Sequence, residues 1–424
     1  MTSEVSKKKE IFIPVIFSIL LLFCTYSSVF CYIAFLLGII LIVFMNEEYI
    51  LSLFFFIVPM STIFKTSPSG PSFFTYLELF FIIVHFFRKK GKATGTEGLI
   101  MGFALLILLN QLLHGDISIA TTIKMIAYLF LLSCATEIDA ESSHKRIILM
   151  YFSGVLASSL MIRLKVPTFR ITEFISVKTD LLSGVFTQRL AGLYGDPNYY
   201  SITLMLLLCA IIVLYLKSEI NIVKSVILSG IIIYFAVQTL SKSAILMLAF
   251  PAFFLIYVLL KKRKYFLAFI GIGLGIVFFI MLKSNRIPFL SLALERFSNN
   301  TTDITSGRTA IWSKYLNYFI ENPLVVLFGR SVLYNELNGH VPHNTYFDII
   351  YQLGILGGFI LIIIIIKCFG NNRLKTSRKK NIINYSLLIV VLIMYFFLSE
   401  LQYFDPPFHL IISMIVMNLD LNVN

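Results

Sequence analysis

Residues 343–366, HNTYFDIIYQLGILGGFILIIIII, decide the fold class. A helix needs about 20 predominantly apolar residues to cross the hydrocarbon core of a bilayer. This window supplies them behind a short polar lead, His343-Asn344-Thr345. Ile11–Phe23 and Ile382–Leu398 repeat the pattern near the two ends of the sequence. Across the chain, hydrophobic residues make up 58% and charged ones 13%, well below the roughly 25% charge of a soluble domain. The sequence therefore predicts an all-α polytopic integral membrane protein with about 12–14 transmembrane helices. A membrane β-barrel would show alternating strands instead of solid apolar blocks.

Immediately upstream lies the longest polar interruption, residues 283–342. Within it, Ile311, Trp312, Tyr315, Leu316 and Phe319 recur at helical spacing, which predicts an amphipathic helix on the membrane surface. Asn322-Pro323 stops it, because proline cannot continue a helix through its own missing N–H. A second polar loop, 164–196, carries Lys165, Arg170, Lys178 and Arg189. The chain reads as one transmembrane domain, 1–424, with these two loops on the same side.

The basic clusters fix the orientation. Lys7-Lys8-Lys9, Arg88-Lys89-Lys90, His144-Lys145-Arg146, Lys261-Lys262-Arg263-Lys264 and Arg373–Lys380 all fall on one face of the predicted topology. The positive-inside rule makes that face cytoplasmic, with both termini there and both long loops outside. It also explains the net charge of +13 without nucleic acid. The five cysteines lie in or beside apolar segments without metal-ligand spacing, and are read as packing residues. No small-residue cleavage site follows the first apolar run. Glu78 and Lys124 are the clearest ionisable residues within spans, and their scarcity disfavours a pump.

Three outer elements each end where a helix turns inward: Asp196-Pro197-Asn198, Ser241-Lys242-Ser243 and Pro342-His343-Asn344-Thr345. Asp196 suits an N-cap, with proline at the first helical position, and Asn344 suits a cap as well. Helix N-termini favour anions. Arg308 sits in the first turn of the amphipathic helix, where a cation opposes the dipole; a bound anion would compensate, and its planar fork suits phosphate. Arg189 and Lys242 are further outward cations. His343 is the strongest acid–base candidate, since imidazole titrates near neutrality.

These motifs together resemble the O-antigen polymerase and ligase superfamily. Arg189-Leu190-Ala191-Gly192-Leu193-Tyr194-Gly195-Asp196-Pro197-Asn198 is similar to its R-x-x-G-x-x-x-D-P-N element. Gly307-Arg308-Thr309-Ala310-Ile311-Trp312 resembles G-R-x-x-x-W. Asn322-Pro323-Leu324 through Gly329 resembles N-P-L…G, and His343-Asn344-Thr345-Tyr346 with Gly354-Ile355-Leu356-Gly357 resembles H-N-x-Y…G-x-x-G. The likeness covers about residues 150–370. One departure is Lys242, where the family commonly carries arginine; lysine keeps the charge and loses the bidentate fork.

The resemblance implies a polyprenyl-dependent glycosyltransferase of the bacterial cytoplasmic membrane, with its active face extracytoplasmic. It implies a lipid-linked oligosaccharide donor and acceptor on undecaprenyl pyrophosphate, and chemistry without metal or cofactor. In that picture Arg189, Arg308 and Lys242 bind the pyrophosphate, and His343 activates or orients the acceptor hydroxyl or contacts the pyrophosphate. Asp196, Asn198, Asn344 and Trp312 support them. Membrane lipids, a flippase and a chain-length regulator of the same pathway are the implied partners. A repeat-unit polymerase is the leading expectation, a ligase the second, and a lipid-linked sugar transporter the alternative from another class.

Overall fold

The computed structural model describes residues 2–91, 94–115, 117–137, 140–163, 171–174, 179–182, 185–241, 307–332, 334, 336–371, 386–395 and 406–418, with scattered positions between 252 and 280. The chain is a helical, multi-pass membrane protein. Its described helices are α1 (Thr2–Cys24), α2 (Ser28–Phe44), α3 (Glu47–Ile57), α4 (Phe73–Arg88), α5 (Gly95–Leu113), α6 (Ile119–Glu137), α7 (Ala140–Arg163) and the single turn α8 (Ile171–Phe174). Then come α9 (Pro197–Leu216), α10 (Ile222–Gln238), α11 (Arg308–Glu321), α12 (Pro323–Phe328), α13 (Thr345–Asn371), α14 (Ser386–Tyr395) and α15 (Pro406–Asn418). Five of these, α5, α6, α7, α9 and α13, are long and apolar enough to cross a membrane by length and composition. Two further apolar stretches of the sequence, 243–260 and 265–282, lie largely outside the described residues.

The core is organised around α9. All but three of its 20 residues are buried, and they lie on every side of it. A helix that is apolar all round belongs inside a bundle. α5 has 39% of its apolar window buried against 89% for α9, so α5 is a peripheral helix turning Leu105, Leu109 and Leu112 outward. Close helix crossings need small residues; at Gly154 on α7, an added Cβ would run into the Phe56 carbonyl of α3.

Two departures from the sequence reading matter for the site. The long polar loop 164–196 is not wholly irregular: Thr179–Leu182 and Val185–Gln188 pair as an antiparallel hairpin, β1–β2, in register Thr179 with Gln188. More important, the span expected as one helix over 343–366 starts at Thr345, runs to Asn371 and breaks at Gly354, whose φ of 68° and ψ of 176° are non-helical. The break strands carbonyls that apolar surroundings would leave unsatisfied. The chain after α12 closes them: Arg330 N–H donates to Tyr351 O at 2.7 Å, and Ser331 N–H to Gln352 O at 3.2 Å. Only glycine fits, because a Cβ at Gly354 would strike the Leu327 carbonyl. The upper part of α13, which follows His343, is thereby aimed separately from the part below the break.

Candidate functional site

The site begins where the chain enters α9. Asp196 is the N-cap, accepting from Asn198 N–H at 2.7 Å, and Pro197 occupies the first turn. The preceding turn is anchored to α7, with Leu193 N–H donating to Ser158 Oγ at 2.7 Å. Gly192, at φ 52°, sits so close that a Cβ would lie 2.7 Å from that hydroxyl. The Thr62 hydroxyl, just after α3, donates to Leu193 O. The site therefore stands at the end of the bundle where α3 finishes and α4 starts.

Arg189 is nearly enclosed, at 6% exposure. Its Nε donates to Thr239 O at 3.0 Å, at the C-terminus of α10, where a cation complements the helix dipole. Its Nη2 reaches Asn198 Oδ1 at 3.4 Å, and the same oxygen accepts from Ser241 Oγ at 2.8 Å. Leu190 N–H donates to Gln238 O at 3.0 Å. One amide oxygen thus ties Arg189, the first turn of α9 and the end of α10 into a single node. Sequence reading named Asn198 and the Ser241-Lys242-Ser243 turn but not that Ser241 bonds Asn198 or that the Thr239 carbonyl holds Arg189. Lys242, one residue beyond Ser241, lies outside the described residues.

Arg308 comes to the same place from the other side. It is the first residue of α11, after Gly307 at φ 83°. Burial pushes its pKa below the usual arginine range, while Asp196 and Tyr199 oppose that shift and favour the charged form. The first turn of α11 therefore lies within electrostatic reach of the first turn of α9. The sequence expectation of a cation in the first turn of an amphipathic helix holds: Tyr315 and Phe319 are buried while Leu316 and Ile320 face outward. Tyr199 is a further residue at the site that sequence reading did not single out.

One turn along α11, Trp312 Nε1–H donates to Pro342 O at 2.8 Å, and Tyr315 Oη–H to His340 O at 2.8 Å. These bonds hold the loop that ends at His343 against the helix that begins at Arg308. His343 is exposed with φ at 47°, a left-handed conformation unusual for a non-glycine residue. Asn344 is buried and caps α13, its Oδ1 accepting from Tyr346 N–H at 3.0 Å and Phe347 N–H at 3.2 Å. The structure thus brings Arg189, Asp196, Asn198 and Arg308 together, and joins Trp312, His343 and Asn344 to them through α11. Arg330, beside Gly329, belongs to the frame: it bonds Tyr351 Oη at 3.0 Å and lies 4.6 Å from the Tyr334 ring centroid.

A separate group, His85, Glu97 and Glu137, places imidazole and carboxylate atoms within 4.8 Å of one another. Lys89 Nζ already bridges the two carboxylates, reaching Glu97 at 3.1 Å and Glu137 as well. The arrangement at the first turns of α9 and α11, with two guanidinium groups, two helix N-termini and an exposed imidazole, can bind a phosphate-bearing ligand and place a proton acceptor near it.

Residues 226–362 match the family model described as O-antigen ligase. The match covers α10, α11, α12 and the first part of α13, and leaves the Arg189–Asn198 element upstream of it. No curated protein and no solved structure matches significantly.

Proposed function

We propose that this chain, of the O-antigen polymerase and ligase superfamily, is a glycosyltransferase that joins oligosaccharide repeat units carried on polyprenyl pyrophosphate. The observation that carries this reading is the meeting of Arg308 with the Arg189–Asp196–Asn198 node, beside the loop that presents His343. On this reading the donor's pyrophosphate lies between the two guanidinium groups at the N-terminus of α9. The acceptor hydroxyl oxygen attacks the anomeric carbon from the side opposite the pyrophosphate. As the new C–O bond forms, the bond from the anomeric carbon to the pyrophosphate oxygen breaks and its electron pair leaves with the polyprenyl pyrophosphate. The configuration inverts, and the hydroxyl proton passes to the His343 imidazole.

Charge grows on the leaving group during this step, so donors fixed in advance lower the barrier. Arg189 is fixed by the Thr239 carbonyl and Asn198, and Arg308 by the packing of α11. Two guanidinium groups supply the positive charge that a divalent cation supplies elsewhere, and the reading assigns no metal. The active face would be extracytoplasmic, in the cytoplasmic membrane of a bacterium.

The description of the matched family favours a second reading, a ligase that passes finished glycan from the same lipid to another acceptor. Cells lacking the protein distinguish the two. A polymerase leaves single repeat units on the polyprenyl lipid at the outer face, and that is the expected result. Long chains held on that lipid would mean a ligase. Single units confined to the cytoplasmic face would mean a transporter and would overturn the reading.

A further inference from the structure

A cavity of about 410 Å³ lies between α6, α13, α14 and α15. Leu129, Leu132, Ile362, Ile365, Leu388 and Leu410 give it an apolar wall. Its rim includes Thr345 and Tyr346, the two residues that follow His343-Asn344. Tyr346 Oη–H donates to Leu392 O at 2.7 Å and so spans the rim from α13 to α14. Among the described residues, none that line it comes from α9, α10 or α11, the helices that carry the arginine node. The cavity and that node are different places, and they share the corner at His343.

Charge gathers beside this cavity. On α6, Lys124 Nζ stands 5.9 Å from the ring centroid of Tyr128, which lines the wall. The charges that face Lys124 are Glu78 on α4 and Lys65 in the turn before α4. All three belong to the site's end of the bundle, because that turn follows Thr62, which bonds Leu193. Lys124 itself does not line the cavity but stands against a ring that does; a lysine within an apolar span is costly, and such residues face partners or substrates. Among the described residues, Lys124 and Lys65 set two ammonium groups against the one carboxylate of Glu78, and Lys124 is the one of the three that stands against a ring lining the cleft.

We propose that this cavity binds the isoprenoid chain of a second polyprenyl-pyrophosphate lipid, the acceptor of the reaction, with its phosphate drawn to Lys124. The proposal rests on the two-lipid reading given above. A cleft of this size has room for one drug-sized body, which suits a single isoprenoid chain and not a cluster of acyl chains. The acceptor's sugar then emerges at Thr345 and Tyr346, next to His343, while the donor's pyrophosphate stays on the α9 side. The two lipids approach the imidazole from opposite flanks, as attack opposite the leaving group requires.

The test uses the full chain in phosphatidylcholine nanodiscs with a diazirine-bearing geranylgeranyl phosphate and peptide mapping of the crosslinks. Crosslinks are expected on α6, α13 and α14, to be suppressed by unlabelled geranylgeranyl phosphate and not by phosphatidic acid. Lys124→Gln is expected to weaken labelling roughly tenfold, the loss of one charge-assisted contact. Ile362→Trp, which fills the cavity from an exposed position, should abolish it. Leu392→Trp is a second filling variant should the first not fold. Labelling spread evenly over lipid-facing helices such as α5 and unchanged in these variants would overturn the proposal, as would equal competition by phosphatidic acid. The readout needs no glycan, so it stands apart from the reaction: lost polymerisation with normal labelling would remove the mechanism and leave the cavity assignment, and the converse would remove only the cavity.

Discussion

The two ends of the bundle carry charge in opposite ways. At one end, where α4 finishes, Glu47, His85, Arg88, Lys89, Glu97 and Glu137 close on one another. His85 Nδ1 meets Glu47 Oε2 at 3.0 Å, and Arg88 Nη1 meets Glu47 Oε1 at 3.7 Å. Lys89 bridges Glu97 and Glu137, and these carboxylates outweigh burial to hold its pKa above the usual lysine range. Each acid has a base. At the other end, roughly 24 Å away along the 16 residues of α4, Arg189 is met by neutral oxygens. Arg308 there lies within electrostatic reach of the Asp196 carboxylate. A matched network fastens four helices together; an excess of guanidinium at converging helix N-termini is a place for an anion to arrive.

Substitutions at the two ends should therefore separate activity from stability. The largest effect is expected at the open end. Arg308→Ala should cut the rate of glycan joining about 10³-fold and His343→Ala about 10²-fold, with membrane insertion and thermal stability unchanged. Turnover of purified protein on lipid-linked oligosaccharide measures both, and normal rates in either would sink that residue's role. At the closed end, Lys89→Met should leave buried Glu97 and half-buried Glu137 without their shared cation. A loss of about 3 kcal/mol is expected, the lower part of the range for a broken buried pair because Lys89 is partly exposed. Thermal melting of the purified variant reads this, and the turnover of the protein that remains folded should be normal. Lost turnover without lost stability would erase the contrast between the two ends. The smallest effect belongs to Trp312→Phe, which removes one hydrogen bond to Pro342 O, keeps the ring against Phe347 and should cost about 1 kcal/mol. A fall in turnover larger than that would mean that the bond aims His343 and does more than hold the loop.

Much of the open end was legible in the chain itself. The Asp196 cap with proline behind it, the Asn344 cap, the amphipathic helix from Arg308 to Glu321 and its stop at Asn322-Pro323 all depend on neighbours within a turn or two. Local hydrogen bonding and periodicity write such features directly into sequence. The kink at Gly354 was not legible, although Gly354 was noticed, because what makes glycine necessary there is the carbonyl of Leu327 arriving from another element. The closed end showed in the sequence as the basic run Arg88-Lys89-Lys90 bounding a helix and, separately, an acidic turn at Glu47-Glu48. Its acids Glu47, Glu97 and Glu137 come from three other helices, and no spacing in the chain announces that they meet.

By itself, then, the sequence determined that the protein is helical and spans a membrane, since hydrocarbon demands long apolar helices with internally satisfied backbones. It also determined where key helices begin and which cations stand at their first turns. Only the tertiary structure decided that Arg308 lies within electrostatic reach of Asp196, that Asn198 joins Arg189 to Ser241, and that His343 stands between an arginine node and an apolar cavity. The physical reason is range. Capping and periodicity act across a few residues, whereas the meeting of charges more than a hundred residues apart depends on how the helices cross.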